Sequence, residues 1–235
     1  MKINRDYYLN QLIEKQDNGL IKIISGIRRC GKSYLLDPMY KNYLLDNGIG
    51  ESHIIKLGLD SIENDYLLDG HKLYEYICNK IIDNDKYYIL LDEIQMVKGF
   101  EAVLNGLLKK NVDIYVTGSN SKFLSKDIIT WFRDRGDEIK MYPLSFREFF
   151  SVYDGTKEDA FNDYLVYGGL SLAVLAKLEK NKINYLDRER NKTYLKDVID
   201  RNNIQNVEEF NYLIEIISSS VGSLTNPLKL SKSFE

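Results

Sequence analysis

The stretch Ile21-Lys22-Ile23-Ile24-Ser25-Gly26-Ile27-Arg28-Arg29-Cys30-Gly31-Lys32-Ser33 decides the fold. Its last eight residues spell G-x-x-x-x-G-K-[ST], directly behind an apolar, strand-like segment. In that pattern backbone N–H groups turn inward around a phosphate, and the two glycines permit a tight path and a close approach that Cβ atoms would obstruct. The helix that follows aims the positive end of its dipole at the same anion. Lys32 is then placed to reach the β- and γ-phosphates, and the Ser33 hydroxyl to ligate the Mg²⁺ that a nucleotide carries. Gly26, Ile27, Arg28, Arg29, Cys30, Gly31, Lys32 and Ser33 together form the candidate triphosphate-binding loop. A Gly-containing turn can match such a pattern by chance, but context argues against that. Leu35, Leu36, Met39, Tyr40, Tyr43 and Leu44 fall on one helical face just after the loop. Pro38 is expected to kink that helix or end its first segment.

A second motif lies further along, where the apolar run Tyr87-Tyr88-Ile89-Leu90-Leu91 ends in Asp92-Glu93. In a nucleotide-hydrolysis site the first such carboxylate holds the metal and the second orients or deprotonates the attacking water. Alone the pair would read equally well as a solvated strand end; coupled to the phosphate loop it reads as catalytic. Gln95 is either a helper for that water or a solvent-facing side chain. Ile114-Tyr115-Val116 then runs into Thr117-Gly118-Ser119-Asn120-Ser121. A strand inserted between the loop strand and the carboxylate strand carries a γ-phosphate sensor at this end, and Ser119 and Asn120 are the candidates; a turn with an N-cap is the plainer alternative. Arg133 and Arg135 follow. An arginine delivered to the γ-phosphate stabilises transition-state charge; a solvated turn pairing with Asp134 or Asp137 is the alternative.

The composition is that of an ordinary globular protein. At 235 residues the chain has room for one large domain or one domain plus a smaller one. A net charge of −3 gives no global pull toward nucleic acid or anionic lipid. No apolar run approaches the ~20 residues of a membrane span, and the polar N-terminus does not resemble a signal peptide, so a cytoplasmic protein without a membrane partner is expected. Its two cysteines, Cys30 and Cys78, support neither a disulfide framework nor a zinc site. Cys30, near a helix N-terminus, reads as a small residue that fits the loop, with an oxidisable thiol as the alternative. Strands alternating with helices up to Tyr142 predict an α/β domain with a parallel sheet covered on both faces. Beyond Pro143 the segments read as helices. The expected division is a P-loop ATPase domain over 1–152 and a smaller all-helical domain over 153–235.

Gly26 to Ser33, Leu90-Leu91-Asp92-Glu93-Ile94-Gln95, Thr117 to Ser121 and Pro143-Leu144-Ser145-Phe146-Arg147-Glu148-Phe149-Phe150 together resemble a prokaryotic group of AAA-type ATPases. Arg5, Tyr8-Leu9 and the stretch Tyr164 to Gly169 fit the same group, so the resemblance covers nearly the whole chain. It implies an ATPase domain, a helical segment and a winged-helix module, commonly with a nuclease-like region at the C-terminus. Two departures stand out. The family tends to have Arg-Gly-Arg where this chain has Arg133-Asp134-Arg135, and the chain stops at Ser231 to Glu235, in what resembles the opening of the winged helix.

Two function classes follow. The first is a Mg²⁺-dependent, ATP-hydrolysing switch or motor, with Lys32 on the phosphates, Asp92 and Ser33 on the metal, Glu93 activating water and Arg135 reaching a neighbouring subunit of a homo-oligomer. The second is a nucleotide-gated module that binds protein or DNA through its C-terminal region with negligible hydrolysis. Its motive is the segment with Lys182, Arg188, Arg190, Lys192, Lys196 and Arg201, although interleaved Asp and Glu make a solvated helix face the simpler reading. A small-molecule kinase fits poorly, because the Asp92-Glu93 pair favours water as acceptor. The sequence does not identify adenine contacts; Tyr7 and Tyr8 are candidates, with core packing the plainer use.

Overall fold

The computed structural model describes residues 3–118, 135–191, 198–199, 202–224 and 226–231. Five strands, β1 (Ile21–Ser25), β2 (Ile54–Gly58), β3 (Tyr87–Asp92), β4 (Val112–Gly118) and β5 (Gly136–Lys140), form one sheet in the order β2-β3-β4-β1-β5. Every neighbouring pair is parallel. The sheet is the α/β core that the apolar runs predict, with β4 inserted between the loop strand and the carboxylate strand.

Successive side chains of a strand leave on opposite faces, so a sheet covered on both sides needs apolar residues at every position. On one face Tyr87, Ile89 and Leu91 of β3 meet Ile114 and Val116 of β4. Leu73 and Ile77 of α4 (Gly70–Lys80) and Phe100, Val103, Leu104 and Leu107 of α5 (Phe100–Leu107) cover them. On the other face Tyr88, Leu90 and Tyr115 pack with Tyr8 and Leu12 of α1 (Asp6–Glu14) and with the helix behind the loop. That helix comes in pieces: α2 (Lys32–Tyr34), a looser stretch Leu35–Tyr40, and α3 (Lys41–Asp46). Asp37 leaves helical geometry (φ −144°, ψ 119°) at its cis peptide bond to Pro38. The kink still leaves Leu35, Leu36, Met39, Tyr40 and Leu44 buried.

The sheet face under this helix carries a charged group. Lys22 of β1 and Asp113 of β4 form an ion pair with both side chains almost wholly buried. Tyr40 donates to the Tyr115 hydroxyl, which donates to Asp113 Oδ2 at 2.6 Å, and the Asp17 amide donates to the same oxygen at 3.0 Å. The hydrogen bonds offset part of the cost of burying these charges.

After β5 the chain enters α6 (Phe146–Phe150), started by a capping box in which Ser145 and Glu148 satisfy each other's backbone N–H groups. Then come α7 (Lys157–Tyr167) and α8 (Ser171–Leu175). Gly169 sits against Leu144: a Cβ there would stand 2.1 Å from the Leu144 carbonyl oxygen. The Leu144 amide donates to the Gly169 carbonyl at 2.7 Å, and the Tyr164 hydroxyl donates to the Leu144 carbonyl at 2.9 Å. Helices α7 and α8 therefore belong to the first compact unit, Met1–Leu175, whose limit lies beyond the boundary at 152/153 expected from sequence. The second unit, Ala176–Glu235, is helical among its described residues, with α9 (Glu179–Arg188), α10 (Val207–Ser219) and α11 (Pro227–Ser231). Lys192, Lys196 and Arg201 of the basic segment lie outside the described residues. No helix among the described residues is long and apolar enough to cross a membrane.

Candidate functional site

Parallel strands deliver their carboxyl ends to one edge of the sheet, and ligands bind outside that edge in open α/β folds. Here the ends of β1, β3 and β4 carry Ser25, Asp92 and Gly118. The loop Gly26 to Ser33 leaves β1 and enters α2. Its first glycine has φ +151°, and a Cβ there would lie 2.3 Å from the Met141 carbonyl oxygen. Only glycine fits. Arg29 is left-handed at φ 63°, and Gly31 has φ 100°. Ile27, Arg28 and Arg29 are exposed, while Cys30 is buried, and burial raises its thiol pKa. The thiol is thus held protonated, in line with the small-residue reading. The Lys32 side chain is almost wholly buried, and its Nζ donates to the Gly26 and Ile27 carbonyls at 3.1 and 2.9 Å. The amine is tied across its own loop.

Asp92 and Glu93 meet this loop from β3. Burial raises the Asp92 carboxyl pKa above the ordinary range, while hydrogen bonds from Thr117 and Ser33 work the other way by favouring the charged form. The two metal candidates, Ser33 and Asp92, are therefore near neighbours. Thr117 Oγ1 donates to Asp92 Oδ1 and accepts from the Glu93 amide at 2.9 Å. One hydroxyl fixes both acids. Glu93 has left-handed backbone angles (φ 55°, ψ 48°), which an L-residue with a long side chain adopts at a cost. Such strain concentrates at functional sites.

Thr117 is a residue to which sequence reasoning gave no role; the sensor candidates Ser119 and Asn120 lie outside the described residues together with Arg133. Strand register could have found it. Leu91 pairs with Val116, so the next residues, Asp92 at the end of β3 and Thr117 one short of the end of β4, lie side by side. Arg135 is not brought to the loop of its own chain. It precedes β5, at the opposite edge of the sheet, where its carbonyl accepts from the Ile21 amide and its Nη1 donates to Asn105 Oδ1 at 3.0 Å. Asp137 pairs with Lys15 instead.

A second unanticipated residue is Arg5, just ahead of α1. Its buried guanidinium donates to the Cys30 carbonyl of the phosphate loop at 3.0 Å and to the Tyr142 carbonyl after β5 at 2.7 Å. Its Nε lies 2.9 Å from Glu148 Oε1 in α6. Beside it, a cavity of about 170 Å³ opens next to Gly31, between Ile3, Tyr34, Leu144 and Leu175. Neither Tyr7 nor Tyr8 lines it. Tyr8 is buried, and its hydroxyl accepts from the Tyr142 amide at 3.1 Å, whereas Tyr7 is largely exposed.

This arrangement, a phosphate loop leaving β1 and paired acids ending β3 of a parallel sheet, defines a P-loop nucleotide-binding domain. Residues 18–150 match the AAA domain family AAA_14, and the chain belongs to that family. Residues 158–235 match a domain of unknown function, DUF8612. An uncharacterized protein of Haemophilus influenzae is 36% identical over 97% of this chain and 58% of its own length. An uncharacterized protein of Methanocaldococcus jannaschii is 28% identical over 97% of this chain and 53% of its own length. The chain thus spans little more than half the length of these curated relatives. Among solved structures, AMPPCP-bound DnaA from Aquifex aeolicus aligns with 98% of this chain and 75% of its own, at 16% identity and a TM-score of 0.45. PCH-2 from C. elegans aligns with 61% of this chain and 42% of its own, at 20% identity and a TM-score of 0.42.

Proposed function

We propose that this AAA-type nucleotide-binding domain is a Mg²⁺-dependent ATPase that works as a switch or motor. The observation that carries the reading is the Thr117 bracket. It fixes the Asp92 carboxylate, near Ser33 of the phosphate loop, and the backbone of Glu93 beside it. Lys32 exchanges its loop carbonyls for the β- and γ-phosphate oxygens when the triphosphate enters. Ser33 and Asp92 offer hard oxygen donors of the kind Mg²⁺ takes, and the ion neutralises charge on the phosphate oxygens. Glu93 takes a proton from water as the water oxygen attacks the γ-phosphorus. The bond to the β,γ-bridging oxygen breaks, and its electron pair leaves with ADP. The apolar cavity beside Gly31 is the subsite for the base. Arg135, remote from the loop of its own chain, serves only the nucleotide of a neighbouring copy.

Phosphate release from Mg-ATP tests the reading. Glu93→Gln is expected to retain ATP affinity and to lower turnover by about 10²-fold or more. Unchanged turnover in that variant removes Glu93 as the base and leaves nucleotide-gated binding of a protein or DNA partner as the better account.

A further inference from the structure

Gln95 lies two residues past Glu93, in the single turn Ile94–Met96 that follows β3. Its Nε2 donates to Glu93 Oε2. An ionised carboxylate only accepts hydrogen bonds, so chemistry assigns the amide orientation: nitrogen toward Glu93, oxygen away from it. That oxygen, Oε1, is buried and has no hydrogen-bond partner among the described residues. A glutamine serving the fold gains at both ends of its amide, whereas a buried acceptor left unmatched works against stability. Gln95 therefore sits at a cost to the fold, and what its amide gains there is the bond to the Glu93 carboxylate. The strained backbone of Glu93 belongs to the same turn. Thr117 fixes the main chain of Glu93 and Gln95 fixes its carboxylate, so the two grips are complementary.

We propose that Gln95 is a positioning residue for Glu93. By holding Oε2 it fixes the rotamer of the carboxylate, so that the base is oriented before the triphosphate arrives. This rests on the ATPase reading above.

The test uses the full chain with Mg-ATP, measuring phosphate release, nucleotide affinity and thermal midpoint. Gln95→Met keeps the length of the side chain and removes both amide atoms. It is expected to lower kcat about tenfold or more while KM for ATP stays within about twofold. The thermal midpoint stays level or rises, because the unmatched acceptor is gone. In a Glu93→Gln background the same substitution adds no further loss, since the base it positions is already absent. Unchanged kcat in Gln95→Met overturns the proposal, as does a thermal midpoint that falls alongside kcat or an equal loss in the two backgrounds. Failure of the ATPase reading looks different: the unaltered protein then shows no turnover. Turnover that Glu93→Gln abolishes and Gln95→Met leaves intact overturns the role of Gln95 alone.

Discussion

Thr117 and Asp92 lie side by side near the carboxyl ends of adjacent parallel strands, and the hydroxyl of the one donates to the carboxylate of the other. Because that hydroxyl also accepts from the Glu93 amide, Thr117→Val removes two hydrogen bonds with almost no change of shape. The Glu93 amide loses its acceptor, so a destabilisation of about 1–3 kcal/mol is expected by denaturant unfolding. Turnover should fall by about tenfold or more, with Thr117→Ser restoring most of both. A valine variant with normal turnover would show that the bracket is dispensable.

Asp92 supplies a pH-dependent prediction. Its folded pKa lies above that of the unfolded chain because burial disfavours the charge. Below the ordinary Asp value of about 3.9 both states hold the proton and the group is neutral for stability. As pH rises from there through the raised folded value, the unfolded chain ionises first and the fold loses stability. Asp92→Asn removes that loss. In metal-free buffer the variant should match the original at low pH and become relatively more stable as pH rises through that window. Adding Mg-nucleotide should then stabilise the original protein more than the variant. A stability difference of the opposite sign across the window would contradict this account.

Arg5 anchors three segments, so its loss should be felt in both the fold and the nucleotide. Arg5→Gln leaves Glu148 unpaired and the Cys30 and Tyr142 carbonyls without their guanidinium donor. A destabilisation of about 3–5 kcal/mol is expected from breaking a buried ion pair. ATP affinity, measured by titration at a temperature where the variant remains folded, should weaken because the loop loses its tie at Cys30. Arg5→Lys should rescue poorly, since an ammonium cannot copy the guanidinium fork.

Lys22 makes a control far from chemistry. Lys22→Met strands Asp113 in the core, and a loss of about 3–5 kcal/mol should appear in chemical denaturation. Under conditions where the variant stays folded, KM for ATP should be unchanged. A weakened KM would mean that the buried group communicates with the loop.

What the sequence disclosed was what short segments encode by themselves. The phosphate loop is contiguous, and β1 and β3 are apolar runs that need no partner to be recognised. Three things required the fold. Nothing in the polar cluster Thr117 to Ser121 singles out Thr117, and only the register of β4 against β3 brings its hydroxyl to Asp92. Arg5 has no motif around it, and its partners lie 25, 137 and 143 positions away, so nothing local announces it. Helices α7 and α8 look independent in sequence, yet Gly169 against Leu144 ties them to the sheet domain.

The guanidinium of Arg5 behaves as a rivet through three plates. Cys30, Tyr142 and Glu148 belong to the phosphate loop, to the exit of the edge strand and to the helix after it, and one planar group is fastened to all three. Any displacement of the loop is therefore shared with the first and sixth helices. The loop and those two helices move as one mechanical part.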